Sequence, residues 1–291
     1  MRSILASLTI LTYLLLSVSP AYAGETRSGG KLLLTNGITS LEGASGGGLT
    51  PWAVIAGNET RDGVGLSLHL TTVQLKSFDF RSAGVSVGLF DRVELSVAHQ
   101  QFNTKQVGAQ LGLGRNFIFD QDVVGAKVRV AGDLVYGASW MPAIALGATF
   151  KKNHEGNVVR AFGARHDQGV DLTLSATKLL LSRSLLVNLT VRMTKANQIG
   201  LLGFGGDKGD HYSPQVEGSV GLQLSRRLVI GGEIRTKPDQ LSVAREDKWR
   251  DLFAAFAIDR HLTLIAAFTD LGSIATVKAQ RGALFSLQTA L

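Results

Sequence analysis

Histidines with acidic neighbours are the side chains in this sequence best suited to chemistry. His154 and His166 lie in one polar stretch with Glu155, Arg165 and Asp167. A histidine oriented by a carboxylate is the pair that hydrolases use to activate a nucleophile. None of the six histidines adjoins a G-x-S-x-G motif or belongs to an H-E-x-x-H motif, and solvated loops often carry such histidines. We therefore expect no enzyme, and a hydrolase is the third of three functional hypotheses.

Metal, cofactor and nucleic-acid sites are weakly indicated. The stretch Asp207-Lys208-Gly209-Asp210-His211 groups oxygen and nitrogen ligands but lacks the spacing of a calcium loop. The formal net charge is +7, yet the basic residues are spread along the chain without a dense block. We expect no metal, no cofactor and no nucleic-acid partner.

A third set of polar residues alternates with apolar residues in long runs. Four of its members are basic and four are acidic, whereas a pore selective for one sign of charge would carry a ring of like charges. The set predicts either a salt-bridged, partly filled interior or a weakly selective channel for a small polar solute. These candidates for lining a lumen are His69, Glu94, Gln100, Lys127, Arg129, Asp171, Asn188, Arg192, Glu217, Gln223, Glu233 and Arg235.

The runs that position this set have the periodicity of β-strands. Apolar residues occupy every second position, as in Leu185, Val187, Leu189, Val191 and Met193, which gives each strand one apolar and one polar face. The runs are about 8 to 11 residues long, the length of a tilted strand that crosses a bilayer, whereas strands of soluble proteins are usually about 5 or 6 residues long.

Short and long connections alternate between the runs. The short ones share an Asp or Ser followed by Arg, as in Asp91-Arg92 and Asp259-Arg260. The long polar stretches are Gln101 to Gln121, Lys151 to Gln168, Thr194 to Ser213, Thr236 to Arg250 and Asp270 to Arg281. Outer-membrane barrels have this asymmetry, with short turns in the periplasm and long loops outside.

The pattern predicts about fourteen strands, with twelve as the alternative. The two weakest are Lys31–Asn36 and Pro51–Asn58, because residues 41–50 are Gly-rich and could form a plug or loop inside the barrel. Val107 to Gly114 also alternates and leaves the register near it open. The other strands are Val64–Lys76, Ala83–Phe90, Val93–Gln101, Asp122–Ala131, Met141–Phe150, Gly169–Ala176, Leu185–Met193, Gln215–Leu224, Leu228–Arg235, Asp251–Ile258, Leu262–Thr269 and Gly282–Leu291.

The N-terminus has the layout of a cleavable secretory signal. Arg2 precedes an apolar run from Ile4 to Val18, and Ala21-Tyr22-Ala23 is a small-x-small cleavage site. We expect residues 1–23 to be the signal peptide and residues 24–291 to be the barrel domain. The chain has no cysteine, so an exported form must be held together by its core, a ligand or a membrane.

A soluble β-sandwich also alternates, but with the apolar face turned inward. Strand length, the asymmetry of the connections and the number of strands favour a transmembrane antiparallel β-barrel. The aromatic content of 7% is low for the interfacial girdles of such barrels. We predict an all-β fold, location in the outer membrane of a Gram-negative bacterium and lipid as a partner, with the oligomeric state left open.

Four sequence blocks resemble an uncharacterised proteobacterial outer-membrane family, a domain of unknown function numbered 3034. They are Gly30–Thr35, Gly46–Ile55, Gly88–Glu94 and Gln121–Arg129. The resemblance implies an outer-membrane setting and supplies no activity. The first functional hypothesis is therefore a porin-like passive channel for a small polar solute, and the second is a closed structural or adhesive barrel with functional external loops.

Overall fold

The computed structural model describes residues 31, 34–35, 37–60, 63–135 and 140–291. The expected signal peptide lies outside the described residues and stays a prediction. Within them the chain is almost entirely β-strand and connecting loop. In chain order the strands are β1 (Ile38–Thr39), β2 (Ser45–Gly46), β3 (Val64–Leu75), β4 (Asp79–Leu89), β5 (Val93–Asn103), β6 (Ile118–Ala131), β7 (Ala143–Asn153), β8 (Gln168–Leu180), β9 (Leu185–Thr194), β10 (Ser213–Ser225), β11 (Leu228–Arg235), β12 (Trp249–Ala257), β13 (Leu262–Asp270) and β14 (Arg281–Ala290).

Strands β3 to β14 form a closed antiparallel barrel. Each strand pairs with its neighbours in the sequence, and β14 pairs with β3 to close the cylinder, with Gly282 opposite Leu75 and Ala290 opposite Ser67. Closure gives every strand a hydrogen-bonded partner on both sides, which a sheet in hydrocarbon requires. The fold class is therefore a transmembrane antiparallel β-barrel of twelve strands.

The estimate of fourteen strands is wrong, and the alternative of twelve is confirmed. The twelve wall strands correspond to the twelve stronger sequence runs. The described parts of Lys31–Asn36 and the whole of Pro51–Asn58 do not form wall strands. Residues 51–57 are buried inside the barrel on all sides, so their apolar character reflects enclosure by protein rather than contact with lipid.

The apolar side of each wall strand points outward. In β9, Val187, Leu189 and Val191 are exposed, while Asn188 and Thr190 are buried. Outward positions are apolar around the wall, although β12 and β13 also carry apolar residues inward, among them Phe253 and Ile265. This arrangement is the reverse of a soluble sandwich, and it places apolar side chains against lipid and polar side chains against the interior.

The two ends of the barrel differ. The connections at residues 90–92, 181–184, 226–227 and 258–261 are short and lie at the end where Leu291 donates to and accepts from Leu66. We call this the short-turn end. The opposite end, the long-loop end, carries the loops at 104–117, 154–167, 195–212, 236–248 and 271–280.

Two short helices lie in the long loops, α1 (Lys105–Gln110) and α2 (Gly156–Ala161). Helix α1 occupies part of the Val107 to Gly114 stretch whose alternation resembled a strand. Among the described residues, no helix is both long and apolar enough to cross a bilayer.

The long loops close their end with an apolar cluster. Phe78, Phe102, Phe119, Leu201 and Leu271 are buried there, and Phe78 stacks on Phe102 with ring centroids 5.0 Å apart. The cavity left among these side chains has a volume of about 30 Å³. The loops therefore pack tightly over the barrel at this end.

Candidate functional site

Eleven of the twelve lumen candidates are buried. Gln223 is half-buried at the short-turn end, where it faces Leu179 and Leu186. The buried eleven are His69, Glu94, Gln100, Lys127, Arg129, Asp171, Asn188, Arg192, Glu217, Glu233 and Arg235. Burial of so many polar groups requires partners for them.

The partners come largely from the chain before the first wall strand. Residues 37–57, which we call the inner segment, lie inside the barrel, and nearly all are buried. Strands β1 and β2 of this segment pair with each other, and Gly46 of β2 also bridges to Pro51 within the segment, but neither strand pairs with the wall. The chain passes in and out at the short-turn end, where Lys31 N donates to Asn58 O and Asn58 N donates to Leu291 O.

Backbone amides of the inner segment donate to two wall carboxylates. Glu94 accepts from Ser45 N at 2.9 Å and from Ala56 N at 2.8 Å. Glu233 accepts from Leu49 N at 2.7 Å. These bonds satisfy amides that have no ladder partner, and they explain why the segment needs polar walls.

Further hydrogen bonds join the inner segment to other strands of the wall. Gln288 on β14 accepts from Thr39 N and donates to Thr39 O, at 2.6 and 2.9 Å. On β10, the Ser219 hydroxyl lies 2.6 Å from the Thr50 hydroxyl and accepts from Trp52 Nε1 at 2.9 Å. The segment is thus attached around the wall by polar contacts.

Glu42 makes the densest of these attachments. Arg235 donates to it with both terminal nitrogens, each bond 3.1 Å long. Arg192 Nη2 lies 3.0 Å from Glu42 Oε2, and Lys151 Nζ donates to Glu42 Oε1. We call Lys151, Arg192 and Arg235 the cation cradle.

Two wall carboxylates complete the network around the cradle. Asp171 lies 2.6 Å from Lys151 Nζ and 3.1 Å from Arg192 Nη1, and Glu217 lies 2.5 Å from Arg192 Nε and 3.2 Å from Arg235 Nε. Wall residues alone bring three positive and two negative charges to this cluster, and Glu42 supplies the third negative charge.

The remaining candidates lie elsewhere on the inner face. Lys127 lies 3.1 Å from Glu94 and donates to Ser45 O at 2.7 Å. Arg129 lies 2.5 Å from Asp91 near the short-turn end. Gln100 and the Ser82 hydroxyl both donate to Leu41 O, and His69 Nε2 lies 3.0 Å from the Ser82 hydroxyl.

Sequence reasoning missed three charged residues of the interior. Lys151 follows Phe150, where we ended the strand, but β7 continues to Asn153. Asp251 lies opposite Glu233 across β11 and β12, and the alternation around Leu252 would have placed it inward. Glu42 has no alternation around it, so no sequence signal was present.

The long-loop end also folds inward. Residues Asn197–Gly200 are all buried, and Ile199 O accepts from Lys151 Nζ at 3.2 Å. Ile199 has a φ of 60°, a left-handed conformation that costs a β-branched residue free energy. Contacts with the wall hold this strained turn beside the cradle.

The histidines proposed for a hydrolase lie apart from this interior. His154 Nε2 is 2.8 Å from Asp122, and His166 Nε2 is 3.3 Å from Asp210 on a different loop. The stretch Gly84–Gly88 matches G-x-S-x-G, but it lies within β4 rather than at a strand-to-helix turn. The two histidines therefore do not form one site.

The acidic stretch Asp207–His211 serves as a tie between loops. Asp207 accepts from the backbone and hydroxyl of Ser242, and these bonds lower the pKa of Asp207. Asp210 accepts from Lys195, which lowers the pKa of Asp210. In the described part of the chain, no three metal-ligating side chains converge.

Residues 35–288 match the family described as Protein of unknown function (DUF3034). The chain belongs to this family. No curated protein matches the sequence of this DUF3034 member.

Solved structures that resemble this DUF3034 chain are outer-membrane proteins. The KdgM porin superposes with a TM-score of 0.51 at 10% identity, covering 77% of this chain and 98% of KdgM. The NanC porin gives 0.48 at 9% identity, covering 78% and 98%. Outer membrane phospholipase A from Escherichia coli gives 0.40 at 10% identity, covering 77% and 89%. At 10% identity the likeness to KdgM shows the fold alone, which is that of outer-membrane barrels.

Proposed function

We propose that this protein is an outer-membrane channel for small polar solutes and that its own inner segment holds it closed. The observation that carries the proposal is topological. The inner segment pairs with no wall strand, whereas the twelve wall strands close on one another. The segment can therefore leave the lumen without breaking a hydrogen bond of the barrel ladder.

The chemistry of the contacts supports the same proposal. Many contacts of the segment with the wall are hydrogen bonds and ion pairs, and water can replace such bonds when the lumen hydrates. Both ends of the segment lie at one end of the barrel, so it can swing out as a unit. The KdgM porin, whose fold this chain shares, has been solved in complex with disordered oligogalacturonate.

The competing hypothesis is a closed structural barrel. A reversible disulfide between the inner segment and the wall distinguishes this hypothesis from the channel. The hydroxyl oxygens of Thr50 and Ser219 are in hydrogen-bond contact, 2.6 Å apart, so cysteine side chains at these two positions would point at each other. The natural chain has no cysteine. The double variant T50C/S219C would therefore fasten the inner segment to the wall under oxidising conditions only.

The matched control is a disulfide between two neighbouring wall strands. Thr71 on β3 and Ser286 on β14 have hydroxyl oxygens 2.7 Å apart, and T71C/S286C leaves the inner segment free. In planar bilayers we expect wild-type and control currents in both redox conditions. Oxidised T50C/S219C should carry no current, and reduction should restore it. Absence of current from wild type and from both reduced variants would refute the channel, as would a locked variant that conducts like wild type.

A further inference from the structure

We propose that the cation cradle of Lys151, Arg192 and Arg235 is a binding site for the carboxylate group of a permeating solute, and that Glu42 occupies it in the closed state. This inference rests on the proposed channel function and names a class of solute for it: small organic acids with a carboxylate, such as acidic sugars.

Geometry identifies a carboxylate as the ligand. Arg235 presents both terminal nitrogens to the two oxygens of Glu42, each at 3.1 Å. This two-pronged contact matches the planar shape of a carboxylate and adds specificity. Arg192 and Lys151 bind one oxygen each from the other sides. Each of the three cations also contacts a wall carboxylate, Asp171 or Glu217, and these contacts remain when Glu42 leaves.

Charge gives a second, separate argument. Asp171 and Glu217 are fixed on the wall and leave one positive charge of the cradle uncompensated when Glu42 departs. The uncompensated positive charge attracts anions, so a solute carboxylate that replaces Glu42 is favoured. With the cradle included, the buried charged residues of the wall strands are five basic and five acidic. The excess is confined to the cradle, and the site therefore predicts local binding rather than selectivity of the whole lumen for anions.

Glu42 competes with any solute because it is part of the same chain. A tethered group has an effective concentration in the millimolar range or above. The substitution Glu42→Gln keeps the size of the side chain and removes its charge. It should uncover the cradle, so that a free carboxylate binds more tightly than it does to the wild type.

The test uses D-galacturonate as the probe and D-galactose as its uncharged match. In the Glu42→Gln protein we expect galacturonate, but not galactose, to reduce chloride current and to bind in calorimetry in detergent. Adding Arg235→Gln should weaken binding on the order of tenfold to a hundredfold, the effect of losing a charged hydrogen-bonded pair. The matched control, Arg129→Gln in the Glu42→Gln background, removes one wall cation outside the cradle and should leave binding unchanged.

The outcomes separate the two proposals. Calorimetric binding that depends on Arg235, without current in any variant, would keep the carboxylate site and refute the channel. Current that obeys the cysteine lock, with equal effects of galacturonate and galactose, would keep the channel and refute the site. Binding that survives Arg235→Gln, or falls equally with Arg129→Gln, would also refute the cradle. Circular dichroism and heat-modified gel mobility confirm that each variant is folded.

Discussion

Replacement of Glu42 by Gln should release the inner segment without unfolding the barrel. The carboxylate accepts from Arg235 twice and is in contact with Arg192 and Lys151. Removing one partner of a buried ion pair costs about 3 to 5 kcal/mol. Because the glutamine oxygen can still accept one of these bonds, we take the lower end, about 3 kcal/mol. A free energy of this size raises the population of the released state about a hundredfold.

The rate of amide hydrogen exchange, measured by mass spectrometry, depends on the population of the state in which the inner segment is released. Peptides from residues 37–57 of the Glu42→Gln protein should exchange about a hundredfold faster than in wild type. Peptides from β13 should not change, because the wall closes without the segment. Glu59→Gln is the matched control, since Glu59 is an exposed acidic residue of the same part of the chain. Exchange in residues 37–57 that stays within about threefold of wild type, less than 1 kcal/mol, would refute the role given to Glu42.

Three further predictions test the wall, the fit of the inner segment and the loops. Leu189→Arg places a charge on the lipid face and should lower the free energy of unfolding in vesicles by about 2 to 4 kcal/mol, measured by urea titration; an unchanged value would contradict the lipid contact. Gly88→Val would put Cβ 2.1 Å from Ala56 O, so we expect faster exchange in residues 51–57, and unchanged exchange would contradict the close fit. Hydrogen bonds from Ser242 lower the pKa of Asp207. The contact between Asp207 and Ser242 is therefore fully formed above the ordinary aspartate pKa of about 3.9, and it is lost as the pH falls through the lowered pKa. Exchange of loop 236–248 should rise over that range, and Asp207→Asn should abolish the pH dependence.

The wall could be predicted from the sequence because lipid imposes its pattern. A strand between hydrocarbon and a polar interior must alternate, as β10 does, whereas β12 also carries the apolar residues Phe253 and Ala255 on its inner face. The alternation covers only the part of each strand that lies within the hydrocarbon layer, so it does not give the full length of the strand. Lys151 lies on β7 beyond Phe150, the last lipid-facing apolar residue of that run, so the pattern places it in a loop.

The inner segment could not be predicted in the same way. Its apolar stretch from Trp52 to Ala56 is enclosed by protein on all sides, so no periodicity distinguishes it from a strand. Glu42 is surrounded by small residues and makes its contacts with β7, β9 and β11, which are more than 100 positions away in the chain. Such contacts depend on barrel closure, which a local pattern does not contain.

The charge of the interior argues that the inner segment and the wall form one electrostatic unit. The wall holds three cations against two carboxylates at the cradle, and Glu42 restores the balance. The wall also carries Glu94 and Glu233, whose carboxylate oxygens accept hydrogen bonds from backbone amides of the inner segment. If the segment were only a filler, apolar packing would close the lumen at lower cost, because desolvating charges is expensive. Charged side chains that line the wall instead bind water when the inner segment is outside the lumen. The proposed gate requires that one barrel be stable with its lumen filled and with its lumen open, and a charged, hydratable wall meets this requirement.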